Sequence, residues 1–200
     1  MCSIRRRRGL AFVLALLITC MGLGTTIASA GPKDTDHCIA PSGVDLNERY
    51  GVAEQIIAPF CTQTDAGQHW THSAFWLMAT SFESVPPQFV PAGDTPLNDF
   101  LAKFASVKYV VDPGTPQQQT YIVPKSDKLW SGVIEGLPAV NTLTLSSLNP
   151  LPIGQHVVEV SWVFSAMHCD GIAANVSENC FPAGETLYAT TAFEVVPGHH

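Results

Sequence analysis

One stretch of this chain predicts its structure most clearly: Gln155-His156-Val157-Val158-Glu159-Val160-Ser161-Trp162-Val163-Phe164. Val158, Val160 and Trp162 alternate with Glu159 and Ser161, which makes one side of an extended segment apolar and the other polar. Successive side chains of a β-strand point to opposite faces, so this pattern is typical of a half-buried antiparallel strand. We therefore predict a strand over 155–167, with Phe164 completing its apolar face.

Several segments on either side show the same two-residue period. Further strands are predicted over 69–82, 107–112, 119–123, 142–148 and 186–196. In the last of these, Leu187 and Phe193 are expected to face inward and Tyr188 outward. The middle of the predicted strand 69–82 is apolar on both sides, which predicts a central strand covered on both faces.

A three-to-four-residue period indicates a helix before the predicted strand 107–112. Pro96 suits a first helical position, and Leu97, Phe100, Leu101 and Phe104 form one apolar face. Residues 45–57 fit either a helix or an edge strand, since Asp45 and Glu48 resemble a capping box while Gly51 interrupts the segment. The domain is therefore predicted to be all-β with one short helix.

The residues that lead into the predicted strand 155–167 resemble a known family of modules. Leu151-Pro152-Ile153-Gly154-Gln155-His156-Val157-Val158-Glu159-Val160 resembles the late-strand entry of bacterial extracellular modules of immunoglobulin-like or fibronectin type. The resemblance implies an immunoglobulin-like antiparallel β-sandwich of seven to eight strands. It implies no catalytic residue, because such modules are defined by their sandwich.

The N-terminus has the features of a secretory signal peptide. Arg5 to Arg8 precede an apolar run from Leu10 to Met21, and Ala28-Ser29-Ala30 follows. We predict a signal peptide over 1–30, a flexible leader over 31–44, one sandwich domain over 45–197 and a tail over 198–200. An uncleaved anchor, lipidation at Cys20 and twin-arginine export are the alternatives. The expected location is secreted, periplasmic or cell-surface.

Charge limits the partners of the mature chain. The sequence has 17 acidic and ten basic residues, and four of the basic ones are Arg5 to Arg8, which leaves a net charge of −11 after cleavage. Nucleic acids and anionic membranes are bound by Lys and Arg. We therefore expect no nucleic acid partner and no membrane insertion after signal cleavage.

Four cysteines remain after cleavage, and an even number in an oxidising compartment indicates two disulfides. Of the three possible pairings we favour the sequential one, because each pair then lies within one turn-rich stretch. It joins Cys38 to Cys61 and Cys169 to Cys180.

The densest polar cluster surrounds the second predicted disulfide. We expect this bridge to hold a loop that presents His168, Asp170 and Glu178, together with Asn175 and Asn179, on one surface. Oxygen-rich loops can hold a cation, but Asp170-Gly171 also suits an ordinary turn without the alternating carboxylates of a calcium loop. No metal site is assigned, and neither hydrolytic nor cofactor motifs occur, so no cofactor is expected.

His72 and three of the four tryptophans are expected inside the domain. His69 and His72 lie three apart on a strand and point to opposite faces, so a buried, hydrogen-bonded His72 is favoured over a metal pair. Trp70, Trp76 and Trp162 fall on inward faces, whereas Trp130 lies in a segment whose composition predicts a loop.

These patterns favour a non-catalytic binding or structural module, with an unknown extracellular protein or glycan as partner. Candidate binding residues are Trp130, His168, Asp170 and Glu178, and no catalytic residue is assigned. The alternatives are a hydrolase or metal-dependent enzyme that uses His168, Asp170 and Glu178, or a glycan binder. An enzyme should bring titratable groups together in a pocket, whereas a glycan binder should expose two aromatic rings on one face.

Overall fold

A computed structural model describes residues 37–125, 129–133 and 139–198, with the backbone alone for 129–133 and 139–145. The predicted signal peptide, the first residues of the leader and His199-His200 lie outside this range. The strands are β1 (Gln55–Ile57), β2 (Gln63–Asp65), β3 (Trp70–Ala79), β4 (Phe104–Val111), β5 (Gln119–Pro124), β6 (Leu129–Val133), β7 (Ala139–Leu148), β8 (Gly154–Phe164), β9 (His168–Cys169), β10 (Cys180–Phe181) and β11 (Gly184–Val196). The helices are α1 (Leu46–Tyr50), α2 (Pro96–Lys103) and α3 (Val176–Asn179).

Two main sheets face each other. The four-stranded sheet has the order β1-β3-β7-β6 and curls into a half-barrel, and the five-stranded sheet has the order β2-β11-β8-β4-β5. Strands β9 and β10 form a separate two-stranded ribbon. Most neighbours are antiparallel, but β1 pairs with β3, and β2 with β11, in parallel.

The core lies between the two main sheets. One cluster of buried side chains combines Trp70 and Met78 from β3 with Val160 and Trp162 from β8. As predicted, β8 points Val158, Val160, Trp162 and Phe164 inward, and it lies in the middle of its sheet. Full burial of a large apolar side chain contributes about 1.5–3 kcal/mol, so the face predicted from the quoted stretch stabilises the domain substantially.

A bulge corrects the prediction for β11. The register against β8 shifts between Leu187 and Ala189. Tyr188 therefore packs against the core, while Leu187 is 57% exposed. The extra residue of a bulge reverses the alternation on one side of it, and the simple two-residue period cannot show this.

The outer face of β3 is more exposed than the sequence predicts. Its inner face is covered as expected, with Trp70, Ala74 and Met78 buried. Its outer face is open, since Phe75 is 47% and Leu77 36% exposed. The expectation of a strand covered on both faces is therefore wrong, because no element of the described chain covers this part of the sheet.

The described residues contain three helices, where the sequence predicts one. Helix α2 begins as predicted, with the Thr95 side chain accepting from the Asn98 N–H and Pro96 in the first turn. The ambiguous segment contains both alternatives, because Gly51 ends α1 at φ 64° and β1 follows. Helix α3 has only four residues and its Asn175 cap, too few to show an apolar period.

The fold is mostly β, and both predicted disulfides are present. Cys38 bonds to Cys61 and Cys169 to Cys180. The described residues form eleven strands where seven to eight were expected, because β2, β9 and β10 are too short for alternation to reveal them and β6 was expected to be a loop. The two parallel pairs also make the sheets mixed rather than wholly antiparallel.

His72 lies between the sheets, as predicted, and makes the stability depend on pH. Its Nε2 lies 3.4 Å from Thr191 Oγ1, and burial lowers its pKa from the ordinary 6.5 to about 4. Between these values the unfolded chain binds a proton that the folded chain does not. We predict that this residue costs the folded state up to about 3 kcal/mol as pH falls from 6.5 to 4.

Urea unfolding across this pH range, on the wild type and on His72→Gln, checks the prediction. The free energy of unfolding of the wild type should fall more steeply below pH 6.5 than that of the variant. Parallel pH profiles would show that His72 does not titrate as its burial requires.

Candidate functional site

Two of the predicted binding residues lie inside the protein. His168 and Asp170 are both buried, so the expectation that the loop presents them at the surface is wrong. The segment 168–181 folds inward because Phe181 enters the core and the Ala79 N–H donates to the Asp170 carbonyl at 2.8 Å. The loop thus closes one end of the two-sheet core.

The partner of His168 is Asp99 on α2. Asp99 Oδ2 lies 2.8 Å from His168 Nδ1, and Asp99 Oδ1 lies 2.6 Å from Lys103 Nζ. Lys103 Nζ also donates to the carbonyls of Val90 and Met167, at 2.7 and 2.6 Å. The three side chains form a buried network in which every ammonium proton has an acceptor, so Lys103 is held as a cation.

The pKa shifts of Asp99 and His168 indicate which of these two side chains is charged. Burial alone would raise the pKa of the Asp99 carboxyl, but hydrogen bonds from His168, Lys103 and the Ala92 N–H outweigh it and lower the pKa. Burial lowers the pKa of His168 more than Asp99 raises it. His168 is therefore neutral and donates from Nδ1 to an ionised Asp99.

The Asp99–His168 pair resembles a catalytic dyad but lacks access to a substrate. His168 Nε2 is buried without a hydrogen-bond partner, and the ring lies against Phe100 and Phe164, with centroids 5.2 and 5.4 Å away. A general base must reach the proton that it removes, directly or through one water. The network therefore joins α2 to the closing loop and stabilises the fold.

The remaining residues of the loop either hydrogen-bond to Asp170 or face solvent. Asn179 Nδ2 donates to Asp170 Oδ2 at 2.9 Å, and the Ile172 N–H donates to Asp170 Oδ1 at 2.8 Å. Burial raises the pKa of Asp170, although these hydrogen bonds oppose the change. Glu178 is exposed on α3, so of the predicted acidic and histidine candidates it alone reaches solvent.

Trp130 lies in a strand and not in a loop. Residues 129–133 form β6 at the edge of the four-stranded sheet, and the preceding 126–128 lie outside the described chain. Trp130 is in register with Leu143 of β7, which is in register with Phe75 of β3. Directly paired positions share a sheet face, so position 130 belongs to the same outer row as Phe75.

A cleft opens on this outer face. It has a volume of about 180 Å³ and lies between α1, the turn that follows β1, and β3. Its walls are apolar and partly aromatic, and Phe60 is 44% exposed. The lining residues are Leu46, Tyr50, Ala58, Pro59, Phe60, Ser73 and Phe75.

A second, small core supports the walls of the cleft. Cys38, Leu46, Ile56 and Ala58 are buried together, apart from the main core. The Ala58 and Cys61 backbones exchange two hydrogen bonds of 3.0 Å, which fold residues 58–61 into a tight turn. The disulfide from Cys61 to Cys38 attaches this turn to the segment before α1.

Asn47 connects the pieces of this small core. Its Oδ1 accepts from the Cys38 N–H at 2.7 Å, and its Nδ2 donates to the carbonyls of Val52 and Glu54 at 3.0 and 2.7 Å. One buried side chain thus satisfies three backbone groups of a segment that has little regular structure. The cleft is therefore held by covalent and polar contacts and is preformed.

The chemistry of the cleft suits binding. Among its lining residues Tyr50 alone carries a titratable group, and Ser73 adds one hydroxyl. Across the described chain no three His, Cys, Asp or Glu side chains converge as metal ligands would. Sequence patterns did not point to Phe60, because it lies in a short turn, or to Phe75, because its strand was expected to be covered.

Comparison with protein-family models, curated proteins and solved structures finds no match to this chain. None of the helices in the described residues has the length and apolarity needed to cross a membrane.

We predict that Asn47→Asp loosens the cleft. The substitution removes both Nδ2 donations and places a carboxylate beside two carbonyl oxygens, which should cost about 2–3 kcal/mol. Hydrogen exchange measured by mass spectrometry should show faster exchange over 52–61 than in the wild type. Asn149→Asp, at an exposed asparagine, is the control, and equal exchange in the two variants would contradict the role of Asn47.

We also predict that Asp99→Asn is strongly destabilising. It leaves the buried Lys103 ammonium without its anion, a change that costs about 3–5 kcal/mol. Urea unfolding measures the loss, with the exposed Asp94→Asn as control. A variant within about 1 kcal/mol of the wild type would show that the network does not stabilise the fold.

Proposed function

We propose that this chain is an exported, non-catalytic binding module of immunoglobulin-like sandwich type. Its recognition surface is the cleft together with the outer face of β3, and its partner is an extracellular molecule. The two facing sheets, the mostly antiparallel pairing and the strand entry at 151–160 support the immunoglobulin-like assignment. The two parallel pairs and the three helices would then be additions to that sandwich.

The observation that carries the proposal is the exposure of three large apolar side chains on one surface. Phe60, Phe75 and Leu77 are 44, 47 and 36% exposed. Phe60 and Phe75 line the cleft, and Leu77 lies two residues further along the same face of β3. Contiguous apolar patches of this kind mark interaction sites, because exposed apolar area is otherwise unfavourable.

Two features support binding over catalysis. The apolar walls of the cleft bring no pair of titratable side chains together, as an acid–base mechanism would need. The His168–Asp99 pair, which has suitable chemistry, lies in the core between Phe100 and Phe164. The hydrolase alternative that uses His168, Asp170 and Glu178 therefore has only Glu178 at the surface.

Export to an oxidising compartment accounts for the two disulfides. Two disulfides persist in oxidising compartments, and both are formed in this chain. Together with the signal-like residues 1–30 they support a secreted, periplasmic or cell-surface location, with Gly31 as the mature N-terminus.

A glycan is the second candidate partner. Three aromatic rings, those of Tyr50, Phe60 and Phe75, line one cleft, and the position of Trp130 lies in the same outer row. Aromatic faces stack on the apolar faces of sugars. The small number of hydroxyl and amide groups in the walls favours a protein partner, because a sugar needs hydrogen bonds as well.

The proposal is tested with two unbiased panels, an immobilised oligosaccharide array and a displayed library of random peptides. Every ligand obtained is then measured by biolayer interferometry against the wild type and against Phe75→Ser and Phe60→Ser. We expect at least one ligand whose affinity falls about tenfold or more in both variants, as for a residue at the centre of an interface.

Ile122→Ser is the matched control, because Ile122 is equally apolar and 69% exposed but lies on the other sheet. It should leave the affinity unchanged. The proposal is overturned if neither panel yields a ligand, or if the ligands respond to Ile122→Ser and not to the two phenylalanine variants.

A further inference from the structure

The charge of the chain restricts what the cleft can bind. Residues 31–200 carry 17 acidic and six basic side chains. Lys103 is buried within its network, and Lys108 is paired with Glu185 at 2.9 Å. Few cations are therefore presented to a partner, and the surface field is negative.

The same excess occurs beside the cleft. Residues 45–54, which supply α1 and the approach to β1, contain Asp45, Glu48 and Glu54 against a single Arg49. Asp45 caps α1 and its carboxylate lies 2.6 Å from His37 Nδ1, and Glu48 lies in the first turn. The guanidinium of Arg49 lies 5.9 Å from the centre of the Tyr50 ring.

Glu54 lies on the sheet face that contains the cleft. Its carboxylate accepts from Thr71 Oγ1 at 2.7 Å and from Ser147 Oγ at 2.6 Å. Thr71, Ser73 and Phe75 alternate onto one face, and two residues of a strand span about 7 Å. The carboxylate is therefore held next to the Ser73 wall of the cleft.

The size of the cleft indicates a single side chain as its occupant. Its volume of about 180 Å³ lies below the roughly 300 Å³ at which small-molecule pockets begin. Protein interfaces commonly insert one large apolar side chain into such a depression and surround it with weaker contacts.

We infer that the partner is a cationic segment of an extracellular protein, with one aromatic or large aliphatic side chain seated in the cleft and Lys or Arg on either side. This rests on the proposed function and adds the class of partner. A second copy of this chain is disfavoured, because two copies of residues 31–200, each with 17 acidic and six basic side chains, repel each other.

Selection from a displayed library of random peptides tests the inference, with the disulfide-bonded chain 31–200 as target at low and at physiological ionic strength. Enriched peptides should share one large apolar residue with Lys or Arg within two positions. Exchanging those basic residues for glutamine in a synthetic consensus peptide should weaken binding about tenfold, as expected for two or three exposed ion pairs.

Variants of the protein assign the effect to the cleft. Glu54→Gln should weaken the consensus peptide severalfold and reduce its salt dependence. Phe75→Ser should weaken it at least tenfold. Glu178→Gln, at an exposed carboxylate on α3, should change nothing. The wild-type affinity at low and at physiological ionic strength remains informative if Glu54→Gln disturbs the fold.

The outcomes separate the two proposals. Neutral or acidic peptides, or a glycan, that depend on Phe75 would overturn the cationic partner and leave the binding site standing. Peptides that are cationic but insensitive to Phe75→Ser would show attraction to the overall charge alone and would also overturn the inference. Ligands that bind without any dependence on Phe75 or Phe60 would overturn the proposed function as well.

Discussion

The burial of Trp162 is the constraint on which the rest of the structure depends. Its ring lies against Phe100 of α2 and Phe104 of β4, with centroids 5.2 and 5.6 Å away. On the other side it meets Phe181 of β10 and Tyr188 of β11, at 5.8 and 5.3 Å. A helix, two strands of the five-stranded sheet and the disulfide-closed ribbon are thus fixed against one aromatic side chain. The inward turn of 168–181, the burial of His168 and the position of α2 follow from filling the space around this ring at native packing density.

The arrangement also explains why the candidate site lies elsewhere. The polar residues near Trp162, namely Asp99, Lys103 and His168, form a buried network that no ligand can reach. The outer face of the four-stranded sheet has the opposite character, because β3 leaves Phe75 and Leu77 uncovered. The small core around Asn47 and the Cys38–Cys61 bridge adds a wall beside these side chains. The polar candidates are therefore buried in stabilising contacts, whereas the outer face of β3 exposes apolar side chains.

Local patterns predicted what depends on neighbours in sequence. The alternation in β8 identified its inward residues, and the turn-rich spacing identified both disulfide pairs. The exposure of Phe75 could not be predicted, because alternation assigns residues to two faces without saying whether another element covers each face. The bulge between Leu187 and Ala189 reversed the assignment of inward and outward residues that the residue types alone suggested. His168 was placed at the surface because its partner, Asp99, lies 69 residues away in the sequence. The lining of the cleft comes from three separate segments, and no single pattern joins them.

The central claim is that recognition occurs at the apolar cleft and not at the loop of polar candidates. Mapping with a small aromatic probe tests it most directly, since phenol can enter a depression of this size. A titration of the isotope-labelled chain with phenol, followed by amide NMR shifts, should perturb residues around Tyr50, Phe60 and Phe75 and leave 168–179 unchanged. Perturbations confined to 168–179, or shifts scattered over the surface without a cluster at the cleft, would contradict the account.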